Sequence, residues 1–420
     1  MKNIPTEWHR PVVRGLRKFP DPDQLAPPTG LSLRILYHHR TAALDGMSVH
    51  IEQLVSALRA RGHEVRVVGP TSGEVKAGGR GKLETLSDAL RAILPAAAFE
   101  LLELGYNVAA YRRLKREAED FKPDILYERY NLYLLAGLWL KRKLRLPMIL
   151  EINAPLFEER NRFGKLKLKG WARRAERALW READVALPVT QVLANMVARV
   201  RGSGAMQVIH NGADLDNVPL PGNDLRTRLG FEGKVVLGFV GFVRPWHGLE
   251  WAIRALPRLP QNVDLLVVGD GPAQESLEQE AQALGVKRRV HFVGRVPHQD
   301  IASYIQAFDI ALQTKAVAYA SPLKMFEYMA LGRAIIAPDQ PNLREILKAD
   351  RDALLFDPAD ETSFFTALER LSRDGELRER LGSAARRSVE ETPFTWAENA
   401  RRVELLAQAL LSKSTPPNIG

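Results

Sequence analysis

The chain is predicted to fold as two doubly wound, Rossmann-like α/β domains facing across a cleft. Three observations predict it. Short β-branched runs alternate with amphipathic helical stretches almost from end to end, which is the pattern of βαβ units and parallel sheets. The strand runs fall into two sets, separated by ADLDNVPLPGNDLRTRLGFEG (213–233), a Pro-, Gly- and Asp-rich stretch that reads as a linker. The length of 420 residues suits two or three domains, each able to bury its own core.

Residues 1–30 carry six prolines and no period, so they read as an extended N-terminal arm. Strands of the first domain (31–215) are expected at RILYHH (34–39), EVRVVG (64–69), DILYER (124–129), MILEIN (148–153), VALPVT (185–190) and QVIHNG (207–212). The linker proper is set at 216–233. The second domain (234–393) has strands at VVLGFVGFV (235–243), DLLVVGDG (264–271), VHFVG (290–294), DIALQT (309–314), AIIAPD (334–339) and ALLFD (353–357). Phe394 to Leu411 reads as a helix that packs back on the first domain, with Thr395 as N-cap, and STPPNIG at the end should fray.

Composition excludes several classes of function. With no cysteine there is no disulfide framework, thiolate metal site or cysteine nucleophile. The start, MKNIPTEWHRP, has no apolar signal region, and the run Leu132–Leu140 is far shorter than a membrane-spanning helix. A cytoplasmic protein is expected. Its formal charge of +10 favours anionic partners such as nucleotides, nucleic acid or an acidic lipid surface. No Gly-x-Gly-x-x-Gly follows the first strand, where His38-His39-Arg40-Thr41 stands, and no Walker A sequence occurs.

The segment YASPLKMFEYMALG (319–332) carries the sharpest signal. Ser321 fits a helix N-cap and Pro322 fits N1, which leaves the amides of Leu323 and Lys324 free for an anion. Lys324 would then sit at N3, where a cation opposes the helix dipole unless a phosphate binds there; a solvated lysine on an ordinary capped helix is the other reading. Glu327 stands among Met325, Phe326, Tyr328 and Met329, and a carboxylate in that setting needs partners such as the hydroxyls of a ribose.

This run, with Glu345 downstream, resembles the donor-binding segment of the family-4 retaining glycosyltransferases of the GT-B fold. The resemblance implies that Glu327 is the second glutamate of the family's Glu-x7-Glu motif and binds the donor ribose, and that amides near Leu323 and Lys324 hold a diphosphate. The first glutamate position falls on Tyr319, in the region of the transferred sugar. GFVGFVRPWHGLE (238–250) resembles the family loop that offers an arginine and a lysine to the departing nucleoside diphosphate; here Arg244 matches and the lysine position reads His247. His247 reads equally as a turn residue beside Trp246. Asp45-Gly46 stands where the family often has Gly-Gly, and Gly46 would let a phosphate or sugar approach the backbone closely.

His50, on the first turn of that helix, is either core-facing or functional. Glu151 and Asn153 end a first-domain strand where many relatives carry a histidine near the reacting sugar; Asn153 can bond a hydroxyl but cannot carry a proton, so no general base is assigned there. His210-Asn211-Gly212 resembles the family's hinge turn, and Gly269-Asp270-Gly271 reads as a strand-to-helix turn. Asp214-Leu-Asp216 spells a metal-binding pair of another transferase class but reads as a solvated turn. No metal or cofactor is expected.

KLKLKGWARRAERALWR (165–181) carries seven basic residues and one acid. At helical spacing Trp171, Ala172, Ala175, Ala178 and Leu179 share one face, the arginines share the other, and Trp180 lies at the border. The pattern fits either peripheral contact with an anionic membrane or an ordinary surface helix; nucleic-acid binding lacks an accompanying module.

The function expected is metal-independent, retaining transfer of a sugar from a nucleotide-sugar donor to a hydroxyl acceptor, a glycan or lipid-linked precursor, at the inner face of the membrane. Arg244 and Lys324 are the expected charge-stabilising residues. A nucleotide-sugar epimerase on the same scaffold and a non-catalytic sugar- or membrane-binding protein are the alternatives.

Overall fold

The computed structural model describes residues 32–41, 46–70, 94–162, 166–215, 225–392 and 394–414. The expected arm 1–30, Asp45 and the tail from residue 415 lie outside the described residues. In chain order the elements are β1 (Arg34–His38), α1 (Gly46–Ala60), β2 (Glu64–Val68), α2 (Ala96–Phe121), β3 (Ile125–Arg129), α3 (Ala136–Leu144), β4 (Met148–Ile152), α4 (Leu156–Arg162), α5 (Lys169–Glu182), β5 (Val185–Pro188), α6 (Gln191–Arg201) and β6 (Ala205–Met206). The chain continues through α7 (Leu225–Arg228), β7 (Val235–Val240), α8 (Glu250–Ala255), β8 (Val263–Val268), α9 (Gln274–Ala283), β9 (Val290–Gly294), α10 (His298–Gln306), β10 (Ile310–Leu312), α11 (Leu323–Ala330), β11 (Ala334–Pro338), β12 (Leu354–Phe356), α12 (Glu361–Arg373), α13 (Gly375–Glu391) and α14 (Trp396–Ser414).

The chain forms two compact units. The N-terminal unit runs to His210 and takes the chain back from Trp396, and the other comprises Asn211–Thr395. In the N-terminal unit six parallel strands lie in the order β2-β1-β3-β4-β5-β6. Its central strands β3, β4 and β5 are buried on both faces; in β4, MILEI, every residue is buried and all but Glu151 are apolar. α14 packs against α1, with the Trp396 ring edge-on to His50 at 4.9 Å.

Two expectations need correction, and α5 follows one of its two readings. The last strand is Ala205–Met206 rather than 207–212; only the amides of Gln207 and Ile209 continue the bonding to β5, at 3.0 and 3.2 Å, before the chain leaves the sheet. The units also meet at His210/Asn211, earlier than the expected linker 216–233. Ala213 donates its amide to Phe394 at 2.8 Å, and Phe231 is 1% exposed within the core of the second unit, so these flanks are packed rather than linking; 216–224 lie outside the described residues. Finally, α5 spends its apolar face on the domain core. Ala172, Ala175, Leu179 and Trp180 are buried and Trp171 alone of the expected stripe is exposed, so this helix does not offer that face to lipid.

In the second unit the order is β12-β11-β10-β7-β8-β9, again parallel. Alternation along β7 assigns its two faces: Val235, Leu237 and Phe239 enter one core layer, Val236 and Val240 the other. Numbered from β7, the order is the doubly wound one whose direction reverses between β7 and β10. Ligands of such sheets bind beyond the carboxyl ends of the strands at that reversal.

Candidate active site

Of the residues the sequence assigned to the donor, those of the C-terminal unit lie near that reversal, while Gly46 opens α1 in the N-terminal unit. Beyond β7 the chain runs through Gly241, Phe242, Val243 and Arg244 into a short turn of helix, Pro245–His247. This loop is drawn tightly against the end of β8: a Cβ on Gly269, whose φ is +124°, would lie 2.2 Å from the Gly241 carbonyl oxygen. Only glycine permits that approach. From β10, the Thr314 hydroxyl donates to the His247 carbonyl, and from α11 the Tyr328 hydroxyl accepts the Val240 amide at 3.0 Å. The two strands and the helix that flank the reversal are thus tied together.

Lys324 lies on the first turn of α11 with its Nζ 3.7 Å from the centroid of the Phe239 ring. The Nζ is buried and has no hydrogen-bond partner among the described residues. Burial lowers its pKa from 10.5 to about 7, with Glu327 pulling the other way. Glu327, one turn on, is raised by burial to about 7 against the opposing pull of Lys324. Arg244 holds its guanidinium 4.8 Å from the Phe242 ring centroid and 4.8 Å from that of Trp246. Neither cation makes an ion pair among the described residues.

His247 fits the second of its two readings, a turn residue beside Trp246. Its Nδ1 accepts the Arg244 amide at 3.3 Å, and burial, then Lys324 and Arg244, lower its pKa to about 3. It is a neutral turn residue and supplies no charge. Its ring centroid lies 5.2 Å from that of Phe239, the ring that Lys324 Nζ sits over.

Ser321 and its neighbours also shift by one residue. Pro322, at φ −69° and ψ 123°, is the N-cap, so α11 begins at Leu323 and Lys324 stands at N2 rather than N3. Ser321 precedes the cap, and its side chain is committed elsewhere: Oγ accepts the Asn211 amide at 3.2 Å, while the Asn211 side chain donates to the Ser321 carbonyl at 2.5 Å. Leu323 and Lys324 remain the first two helix amides, which have no carbonyl a turn earlier to bond. The preceding loop, which carries the half-buried Tyr319, is held by buried Asn342, donating to Val317 and Ala320 at 3.2 and 2.7 Å.

In the N-terminal unit the structure brings together His50, Glu151 and Asn153. Glu151, at the end of β4, accepts from His50 Nε2 at 2.8 Å, Tyr127 Oη at 2.7 Å, Arg129 Nη1 at 2.5 Å and Asn153 Nδ2. Burial would raise its pKa, but the His50 and Arg129 charges and these bonds outweigh it and hold the carboxyl well below the usual range. A small cavity is lined there by His50, Tyr127, Glu151, His210, Trp396 and Asn399. Beside it, at the sheet reversal between β1 and β3, His38 Nδ1 lies 2.6 Å from Glu128 Oε2, both buried. Gly46 opens α1, one turn before His50.

The sequence reading did not single out Tyr127, Arg129, His38 and Glu128, nor the aromatic residues that hold the cations. The signal available was polar residues closing buried strands, as in ILYER. Among the described residues no group of three or more His, Asp or Glu is arranged to hold a metal; Asp214 is described, but Asp216 is not.

Comparison with known proteins gives the family. The family described as Glycosyltransferase Family 4 matches residues 44–217, and Glycosyl transferases group 1 matches 223–388. The chain is 25% identical over 363 residues to a phosphatidyl-myo-inositol mannosyltransferase of Mycobacterium leprae, covering 85% of this chain and 91% of that one. It is 23% identical over 385 residues to a glycogen synthase of Mycobacterium tuberculosis, covering 87% and 91%. The Anabaena protein HepE, solved with UDP and glucose, superposes with a TM-score of 0.66 at 19% identity, over 90% of this chain and 100% of that one. The chain belongs to the family-4 glycosyltransferases of the GT-B fold, enzymes that transfer a sugar from a nucleotide-sugar donor.

Proposed function

We propose that this enzyme transfers its sugar with retention at the anomeric carbon, without a required metal, to a hydroxyl of a lipid-linked or polymeric glycan precursor at the inner face of the membrane. The observation that carries the reading is the pair of cations, Lys324 and Arg244, that make no ion pair among the described residues at the sheet reversal of the C-terminal unit. As the bond from C1 to the diphosphate oxygen breaks, negative charge collects on the leaving group. Fixed cations and the first amides of α11 stabilise that charge more than the ground state. His247 is neutral, so Lys324 supplies from the helix the second positive charge that the loop after β7 does not.

Glu327 is assigned to the donor ribose. In the acceptor region, Glu151 is spent on four donors and held ionised, so it positions His50 and Asn153 rather than moving a proton. The acceptor's proton goes to the departing phosphate on the face where the new bond forms. The lipid or glucan acceptors named for the relatives support the acceptor class. The test is transfer with a panel of nucleoside diphosphate sugars, with and without chelator. Lys324→Ala and Glu327→Ala should each lower turnover at least about 100-fold with the fold intact. Unchanged turnover would remove the assignment, and conversion of the donor sugar without acceptor would identify an epimerase.

A further inference from the structure

Beyond the end of β1, at the reversal of the N-terminal sheet, the chain is pinned before it turns away. The His39 amide donates to the Val68 carbonyl at 3.1 Å, which continues the pairing with β2, and a Cβ on Gly69 would come within 2.6 Å of the His39 Nε2. His39 Nδ1 accepts the Thr41 amide at 3.1 Å. Arg40 therefore leaves the strand end on a backbone fixed at both neighbours.

Its guanidinium is held from α2. Glu103 pairs with it, Nη2 to Oε1 at 3.2 Å, and Tyr106, one turn on, sets its ring centroid 5.3 Å from Cζ. Glu103 is 4% exposed, and Arg160 of α4 meets it with two parallel bonds, Nη1 to Oε2 at 2.6 Å and Nη2 to Oε1 at 2.9 Å. Arg160 alone would neutralise this acid, so burying Glu103 does not require a second arginine. Two guanidinium groups on one carboxylate leave the trio net positive. The other Arg40 nitrogen, Nη1, is buried with no hydrogen-bond partner among the described residues. Burial, countered by Glu103 and reinforced by Arg160, lowers the Arg40 pKa, so the charge is kept at a cost.

We infer that Arg40 Nη1, with Arg160 across the shared Glu103, binds a phosphate group carried by the acceptor. A phosphate supplies both things the trio lacks, an oxygen for the orphaned N–H and a negative charge for the unbalanced cation; a sugar hydroxyl would supply only the first. The place agrees, since ligands of such sheets bind beyond the carboxyl ends of the strands at the reversal. The inference rests on the hydroxyl-acceptor reading above and narrows it to acceptors that bear an anionic group.

The test is calorimetric titration of the full chain, without donor, with inorganic phosphate and with the monoester glycerol 3-phosphate. Lys324→Met/Arg244→Gln serves as the parent, because the cations of the C-terminal unit would otherwise take up either anion. The parent should bind the monoester saturably and at least as tightly as inorganic phosphate, and adding Arg40→Gln should weaken binding at least about tenfold. Arg160 still pairs with Glu103 in that variant, so its melting temperature without phosphate should change by no more than about 2 °C. Arg40→Lys, which keeps the charge opposite Glu103 but loses the planar fork, should weaken binding at least about threefold and gives a second reading if the glutamine variant does not fold. No saturable binding by the parent, or equal binding by parent and Arg40 variants, overturns the inference. So does a tenfold preference for inorganic phosphate, which would make the ligand a free anion rather than a group on the acceptor. Sugar transfer is measured separately; its absence in wild type would count against the proposed function and leave the phosphate site to stand or fall on binding alone.

Discussion

Replacing Lys324 with methionine separates what the site's cation costs the fold from what it does in catalysis. The ammonium is buried against Phe239 with no hydrogen-bond partner among the described residues, and its pKa falls from 10.5 to about 7. Keeping a lysine so displaced opposes folding by an amount on the order of 4 kcal/mol at neutral pH. Methionine preserves the length and the contact with the ring while removing the charge. Relief of a buried charge by an apolar side chain is typically worth about 1–4 kcal/mol, and at roughly 2–4 °C per kcal/mol the C-terminal unit should melt several degrees higher. Turnover should fall by about 100- to 1000-fold, the scale for losing one group that stabilises transition-state charge.

The pH dependence gives the sign. Because the folded pKa of Lys324 lies below its unfolded value, the unfolded chain binds more protons between pH 7 and 10.5. Wild-type stability therefore gains on the variant as pH rises through that window; the gap in melting temperature is widest below neutral pH and closes on the alkaline side. Calorimetry across this range, with steady-state transfer at each pH, reads both quantities. A Lys324→Met protein that is less stable than wild type at neutral pH, or one that turns over normally, refutes the reasoning.

Three further outcomes follow from the same geometry. Lys324 and Glu327 both titrate near pH 7, so wild-type kcat/KM should pass through a maximum near neutrality; Glu327→Gln should remove the acidic limb and Lys324→Arg should move the alkaline limb upward, both read from pH–rate profiles. Trp246→Ala strips one face from Arg244 and should lower kcat about two- to fivefold with little change in donor KM, whereas Trp246→Phe should restore most of it. Glu151→Gln leaves buried donors facing a poorer acceptor and should cost about 3–5 kcal/mol in urea unfolding of the N-terminal unit. Since the folded Glu151 carboxyl lies well below its ordinary 4.5, this stabilisation is present above that value and is lost only as pH falls through the much lower folded one, so the deficit should be constant from about pH 6 to 8.

Much of the fold was legible because a strand buried on both faces has no choice but to be apolar. RILYH, MILEI, VVLGFV and AIIAP are such runs, and each is a strand where expected. What failed was set by contacts distant in sequence. Ala213 and Phe231 look like linker residues until Phe394 and the second core close over them. Ser321 has the chemistry of an N-cap, but Asn211 claims its hydroxyl, and the extended Pro322 moves the helix start by one residue. His247 has the spacing of a cation and equally of a turn residue, and its burial beside Lys324 and Arg244, which favours the neutral form, is not visible in the sequence. The basic face of α5 was visible in the sequence, whereas the buried polar face of α2 was not, because buried Glu100 and Glu103 look like ordinary surface acids until Tyr133 and Arg160 are placed beside them.

The carboxylates of the N-terminal unit and the two cations at the C-terminal reversal use charge in opposite ways, and that difference assigns their chemistry. Glu151 in the N-terminal unit is paired with Arg129 and His50, Glu103 with Arg160; their charges are consumed in holding strand ends and loops. In the C-terminal unit ordinary structural cations are paired too, as Lys315 is with Glu250 at 2.9 Å even while it lies over Trp251. Lys324 and Arg244 are placed against aromatic faces without an ion pair among the described residues, and Glu327, a turn on from Lys324, offsets its burial only in part. A ring quadrupole fixes a cation's position without cancelling its net charge, whereas a carboxylate would cancel it and compete with the leaving group. A protein that needed these side chains only for stability would have paired them or made them apolar. Their isolation is what a site built to receive negative charge during the reaction requires, and it is why removing the charge should strengthen the fold and stop the chemistry.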